Sequence, residues 1–453
     1  MKLVSHADNA VTITYTAGRP YLSVTPDWTG RLEIGLDRSQ PLDSIAWMEV
    51  FAKTAKAAAD LSLPGCRLEL DGPAAQLGDR LPYLLLMGLS GAGYRFRKYQ
   101  TNAQDAAKIP MVLSLTGRDA AFDRALDRAG NLVRAVLLAR DLVNEPGNHL
   151  TPDLLARRLT DAFAGLPVEV TVLDPAALEK LGAGALLAVG NSSVNGPRLI
   201  ALTYTGAPED SRRLGLVGKG VTVDTGGYCL KTPAGLLGTK GDMAGAAAVS
   251  CALLALAQNG VRANVTAVIP ACENRLSDGS MIPGDVITSL SGKTIEVGNT
   301  DAEGRLILAD ALTYAIREAK ATHLVDIATL TGAVCAMFGS SRAGAMTSDE
   351  GFFAQLLAAA EPMGERYWLL PGDAEYDKLV DSTVADVKNR PGSCGTIAAG
   401  LFLRRFTEDK PWIHLDVAGT AWTSPPIWAY QTEGATGAGT ATLYRLAETF
   451  FQK

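Results

Sequence analysis

The sequence predicts an α/β protein of two domains: a smaller N-terminal α/β domain over residues 1–140 and a larger C-terminal α/β domain over 141–453, with a central mixed sheet flanked by helices. Three observations carry this prediction. The chain of 453 residues exceeds the usual size of a single hydrophobic core. Short β-branched or apolar runs alternate with stretches of helical periodicity. A cluster of turn-forming residues, Asn144-Glu-Pro-Gly-Asn148, interrupts both patterns about a third of the way along.

In the first domain the apolar runs 84–87 and 109–115 read as strands, and 45–61 and 120–142 carry apolar residues at helical spacing. The second of these helices is the expected connector between domains. After the turn cluster, Thr151-Pro-Asp opens a new helix. Strands are then expected at 168–173, 199–204, 214–217, 265–269, 324–328 and 413–417, with helices at 244–258 and 306–319. The Gly-Tyr-Cys-Leu-Lys run ending at Lys231 and the Ser-Asp-Gly-Ser-Met-Ile-Pro-Gly run starting at Ser277 read as loops, where sites tend to sit.

Composition narrows the class. With 47% hydrophobic and 20% charged residues the chain is of ordinary globular type, and its net charge of −6 comes with no basic tract, so a nucleic-acid partner is not expected. The longest apolar stretch, 244–257, is too short to span a bilayer and reads as a buried helix. The six cysteines form no Cys-x-x-Cys pair; they are expected to be reduced and mostly buried, as in the cytoplasm. The first residues contain no apolar core of a signal peptide.

There is no His-Glu-x-x-His, no Gly-x-Ser-x-Gly and no phosphate-binding Gly-x-x-x-x-Gly-Lys-Ser/Thr. With only four histidines (His6, His149, His323 and His414), any hydrolytic machinery must rest on carboxylates and lysine. Two segments supply them. The first runs from Lys219 through Asp224-Thr-Gly-Gly to Lys231 and on to Lys240-Gly-Asp242, and the second is Asn299-Thr-Asp-Ala-Glu-Gly-Arg-Leu306. Were the second segment extended, Asp301 and Glu303 would share a face. Hard divalent ions favour such oxygen ligands, and a pair of ions can hold a hydroxide at neutral pH.

Singly, each residue has a plainer reading. Asp242 before an Ala-rich helix suits an N-cap, Asp224 suits a turn, Lys219 and Lys231 suit solvent, and Arg305 suits a surface salt bridge. Asp301 and Glu303 suit a helix N-terminus.

Together these residues resemble the leucyl aminopeptidase (M17 metallopeptidase) family, whose signature octapeptide is the run 299–306. The resemblance extends from Asp141-Leu-Val-Asn-Glu-Pro through Asp326-Ile-Ala-Thr-Leu-Thr-Gly332 to His414-Leu-Asp-Val-Ala-Gly-Thr-Ala-Trp422. It implies an aminopeptidase in which a water or hydroxide bridging two divalent ions (zinc, manganese, cobalt or magnesium) attacks the peptide. Asp224 and Glu303 would bridge the ions, Asp301 would complete the tighter site, and Lys219 with Asp242 the more exchangeable one. Lys231 would stabilise the oxyanion, and Arg305 would hold a bicarbonate as general base. By the same resemblance Lys231, Thr239, Asn299, Thr329, Leu330 and Gly332 line the substrate cleft. The family also implies a cytoplasmic homohexamer acting on peptides.

The chain departs from the family in two places. Asp224 is followed by Thr rather than the common Ser, and Thr239 stands where a methionine commonly floors the pocket for the first side chain. The second change predicts a preference moved away from leucine, toward larger or more polar first residues. His414 and Asp416 lie at i, i+2 on an expected strand; the reading favoured here is a core or supporting pair rather than a third metal element.

Overall fold

The computed structural model describes residues 2–4, 9–102, 110–116, 118–390 and 392–452. His6 and Ile109, named above, lie outside the described residues. The chain divides into two compact units. The first comprises Met1–Leu137 together with Glu361–Gly364 and Ser424–Glu433, and the second comprises Leu138–Ala360, Glu365–Thr423 and Gly434–Lys453.

The first unit is built on a six-stranded sheet in the order Lys2–Leu3, Pro110–Ser114, Cys66–Glu69, Val11–Pro20, Leu32–Asp37, Val24–Pro26. Neighbours are parallel except the last pair, a hairpin. Two helices, Ser44–Asp60 and Leu81–Gly93, pack against each other. The first begins where Asp43 accepts from the Ala46 amide, the exchange expected of an N-cap. The second corrects an expectation, because residues 84–87 are helical and not a strand. Apolar residues surround this helix, so its short apolar run carried no period by which to tell helix from strand. Pro82 in its first turn is the local signal that favours the helix.

The second unit holds a nine-stranded sheet. Its main path runs Tyr367–Leu369, Ala343–Thr347, Trp412–Asp416, His323–Ala328, Leu214–Gly218, Asn264–Asn274, Arg198–Thr205, Val168–Leu173. The four strands from Trp412–Asp416 to Asn264–Asn274 are mutually parallel. Antiparallel pairs flank them on both sides, so the sheet is mixed as expected. Gly220–Asp224 pairs with the far half of Asn264–Asn274, whose near half pairs with Leu214–Gly218. Those two short strands are therefore one line of chain broken at Lys219.

The helices Ala244–Gln258 and Glu303–Arg317 pack on this sheet. The first, counted from Thr239, is long and apolar enough to cross a membrane, but 89% of its apolar window is buried within the protein. It is a core helix. Gly245 lets it approach closely: a Cβ there would stand 2.0 Å from the Ile327 carbonyl oxygen. All six cysteines are free, but only Cys66, Cys251 and Cys272 are buried; Cys335 and Cys394 are exposed.

Candidate active site

The parallel strands end on a common rim, the position where open α/β sheets place their sites. Lys219 follows Leu214–Gly218, Asp224 and Asn274 close Gly220–Asp224 and Asn264–Asn274, Thr329 follows His323–Ala328, and Asp416 ends Trp412–Asp416. The break at Lys219 is fixed by the backbone, since its amide donates to the Ile327 carbonyl (3.1 Å) and its carbonyl accepts from Ala246 (2.9 Å).

Lys219 is buried, not solvated. Its Nζ lies 2.8 Å from Asp242 Oδ2 and 2.9 Å from Glu303 Oε1, and donates to the Thr329 carbonyl at 3.0 Å. Gly304 makes room for it: a Cβ on residue 304 would lie 2.6 Å from Lys219 Cε. Asp224, Asp242 and Glu303 each bring one carboxylate oxygen within 4.8 Å of the others. Asp242 does not cap the following helix, whose N-cap residue is Met243 and lacks a side-chain bond. Its Oδ1 accepts from Thr329 Oγ1 at 2.7 Å instead.

The segment carrying Asp301 and Glu303 is not extended. Asp301 sits in a turn and Glu303 is the first residue of Glu303–Arg317, where the helix dipole favours its charge. Both acids still reach the rim. Lys231 pairs with Asp224 Oδ2 at 2.7 Å and with Asp301 Oδ1.

Three acids in so small a volume repel. Burial and the neighbouring Glu303 push Asp224 up to about 6, with Lys219 and Lys231 opposing. Burial likewise raises Asp242 and Asp301. Glu303 is fully buried, yet the two lysines hold it below its usual value. Burial works against the Lys219 ammonium too, but Asp242, Glu303 and Asp224 outweigh it and raise its pKa. Within the protein's own charges, then, Lys219 stays protonated and Glu303 ionised. Glu303 Oε2 is buried without a hydrogen-bond partner among the described residues, an acceptor suited to a cation.

Arg305 is only 4% exposed and makes no ion pair among the described residues. Its Nε is buried and without a hydrogen-bond partner among the described residues, and burial lowers its pKa to about 10. It is therefore no surface salt-bridge residue. Thr239 is half-buried on the short turn Thr239–Gly241, its Oγ1 donating to the Leu236 carbonyl at 3.0 Å. Asn299 shapes the signature turn, with its Oδ1 accepting from the Asp301 amide at 2.9 Å.

Sequence reading did not assign the residues that hold these acids in place. Asn274 Nδ2 donates to Asp224 Oδ1 (2.9 Å) and to the Thr300 carbonyl (3.0 Å), tying the two acid-bearing segments together. Asn389, fully buried, accepts from the Gly298 and Asn299 amides and donates to the Asn299 and Ala302 carbonyls. Their position after or between strands was visible, but asparagine is so common in turns that nothing marked these two.

A carboxylate cluster with two lysines at the rim of the sheet's parallel strands defines a centre fit for divalent cations. The sequence profile described as "Cytosol aminopeptidase family, catalytic domain" matches residues 137–444. A "Probable cytosol aminopeptidase" of Clostridium perfringens is 42% identical over 369 residues, covering 80% of this chain and 75% of that protein. One of the same description from Bacillus subtilis is 44% identical, covering 79% and 72%. Among solved structures, the bottromycin maturation enzyme BotP in complex with Mn superposes with a TM-score of 0.87 at 32% identity, covering 98% of this chain and 99% of that one. The chain belongs to the cytosol aminopeptidase family, and is a metal-dependent hydrolase of the aminopeptidase class.

Proposed function

We propose that the chain releases N-terminal residues from peptides at a two-cation centre held by Lys219, Asp224, Asp242, Asp301 and Glu303. The observation that carries this reading is the convergence of Asp224, Asp242 and Glu303 within 4.8 Å around Lys219. The donor chemistry fits: carboxylate oxygens suit hard divalent ions, and Glu303 Oε2 is buried without a hydrogen-bond partner among the described residues. Asp224 and Glu303 occupy the centre, Asp301 one flank, and Lys219 with Asp242 the other. Two divalent cations there supply Lewis acidity and a water acidic enough to attack at neutral pH. A lysine ligand must be neutral, and dications held by Asp224, Asp242 and Glu303 would favour the neutral amine of Lys219.

Lys231, paired here with Asp224 and Asp301, would donate to the developing oxyanion once those acids hold cations. Arg305 presents a buried guanidinium whose Nε has no hydrogen-bond partner among the described residues, which supports a small anion such as bicarbonate there as proton acceptor. Thr329, Leu330 and Gly332 follow a strand end beside Asp242, and Thr239 lies three residues before it; with Asn299 these are assigned to the substrate cleft. The shorter, polar Thr239 supports a preference for first residues other than leucine.

Zinc, manganese, cobalt and magnesium all suit this donor set, and manganese accompanies the BotP structure. The name shared by the relatives supports a cytoplasmic location, and family resemblance supports a homohexamer. Residues 1–140 are assigned an assembly or regulatory role and 141–453 the catalysis. The test is hydrolysis of an aminoacyl fluorogenic panel after stripping with EDTA and adding back single metals. Activity that returns with a divalent ion, and has its optimum away from leucine, is the expected result. Undiminished activity in the stripped protein would defeat the two-cation centre.

A further inference from the structure

Among the buried acids that the site reading leaves unused, one stands beside the site. Asp416 is fully buried at the end of Trp412–Asp416. Its Oδ1 accepts from the amides of Leu330 (3.2 Å), Thr331 (3.4 Å) and Ala418 (3.3 Å), and its Oδ2 accepts from Thr331 Oγ1 at 2.6 Å. Thr331 in turn caps the helix Gly332–Phe338 and meets Thr396 Oγ1 at 2.8 Å. One carboxylate thus fixes the turn that leaves the strand His323–Ala328.

That turn also carries Thr329, whose two polar groups both face the metal-type residues. Its carbonyl accepts from Lys219 Nζ and its hydroxyl donates to Asp242 Oδ1. With Oδ1 so engaged, Asp242 turns Oδ2 toward Lys219. Asp416 touches neither residue; it acts on them through the backbone of 329–331.

Beneath Asp416 lies a second buried layer. His414 Nδ1 stands 2.5 Å from Asp326 Oδ1, and Trp412 Nε1 donates to Asp326 Oδ2 at 2.6 Å. The ring plane of His414 stacks on Trp412. Burial disfavours the charged imidazole, but Asp326 more than offsets it and raises the His414 pKa. His414 acts on Asp416 as well, opposing the burial that pushes its carboxyl up.

We infer that Asp416 is a positioning residue for the Lys219–Asp242 half of the centre, holding Thr329 so that both side chains are presented to one of the two cations. The inference rests on the two-cation reading above. It separates Asp416 from a residue of general structural value, because only one half of the centre should respond to its loss.

The experiment is calorimetric titration of metal-stripped protein with Mn2+, alongside KM and kcat on an aminoacyl substrate at saturating Mn2+. For Asp416→Asn the tighter Mn2+ affinity should stay within about 2-fold, while the weaker falls about 10-fold or more, as for other groups that orient a ligand. KM should rise with kcat nearly unchanged. Thr329→Val should reproduce the loss at the weaker site, and the double variant should lose little more than either single one. Should Asp416→Asn fail to fold, Thr331→Val and Thr331→Ser decide: valine should weaken the second Mn2+ and serine should not.

A folded Asp416→Asn that binds both ions as wild type, additive losses in the double variant, or equal effects of valine and serine at 331 would each overturn the inference. Wild-type protein that binds a single Mn2+ would overturn the two-cation reading, and this inference with it.

Discussion

Lys219 and Gly304 share one space: the lysine side chain passes where any Cβ on residue 304 would sit, with contacts of 2.6 Å to Cε and 2.7 Å to Nζ. A flexible lysine could ordinarily swing aside. This one is buried and held by Asp242, Glu303 and Thr329, so displacement breaks all three contacts. Gly304→Ala should therefore leave the circular dichroism spectrum intact and lower kcat/KM by about 100-fold or more, comparable to losing one key electrostatic group. Wild-type turnover in this variant would show that Lys219 is not needed at its observed position.

Removal of the site's own groups is the direct check on the proposed chemistry. Lys231→Ala should lower kcat by about 100- to 1,000-fold, the usual loss for an oxyanion donor. Glu303→Ala should abolish dipeptide cleavage and cost metal as well, measurable by metal analysis after gel filtration. Both should stay folded. Undiminished turnover in either would defeat the assignment.

Asn274 offers a test of support rather than of ligation. Its amide ties Asp224 to the Thr300 carbonyl, so Asn274→Ala should weaken Mn2+ binding by about 10- to 100-fold. Equal affinity in variant and wild type would show that Asp224 holds its orientation without it.

Thr239 is assigned to the pocket floor, and Thr239→Met should move the substrate optimum toward leucine. A change of one or two carbon atoms in an apolar pocket is worth about 10-fold in relative kcat/KM. An unchanged rank order across the aminoacyl panel would remove Thr239 from the pocket.

Away from the site, Asp310 makes stability depend on pH. Its carboxylate accepts from the amides of Leu186 (2.9 Å) and Leu290 (2.7 Å), but burial dominates and pushes it up to about 7 from 3.8. A folded pKa above the unfolded one means the unfolded chain releases this proton first. The stabilising contribution is complete below about pH 4 and is lost as pH rises through about 7. Wild type should thus lose stability relative to Asp310→Asn across that window, read as the gap between urea midpoints. A gap that stays constant with pH would contradict the shift.

Much of this was legible in the residues. The strands around the site were visible because their β-branched runs are short and bounded by turns, and the acids and lysines that gather at the rim were visible because they recur in one signature pattern. The same reasoning failed at 84–87, where apolar residues all round erased the period. It also failed on Asp301 and Glu303, which meet the site from a turn and a helix start rather than from one extended segment. Asn274, Asn389 and the Asp416 link are long-range hydrogen-bonded partners, and no local pattern encodes contacts 26 to 90 residues away.

The division of the chain has a consequence for the order in which the protein is made. The first unit closes only when 424–433 arrives, since the Ala429 amide donates to Glu49 Oε1 at 3.2 Å and the Tyr430 carbonyl lies against Gly91. Domains generally fold as they leave the ribosome, N-terminal first. Here the unit that emerges first is finished nearly last, its helices waiting for a strip of chain synthesised some three hundred residues later.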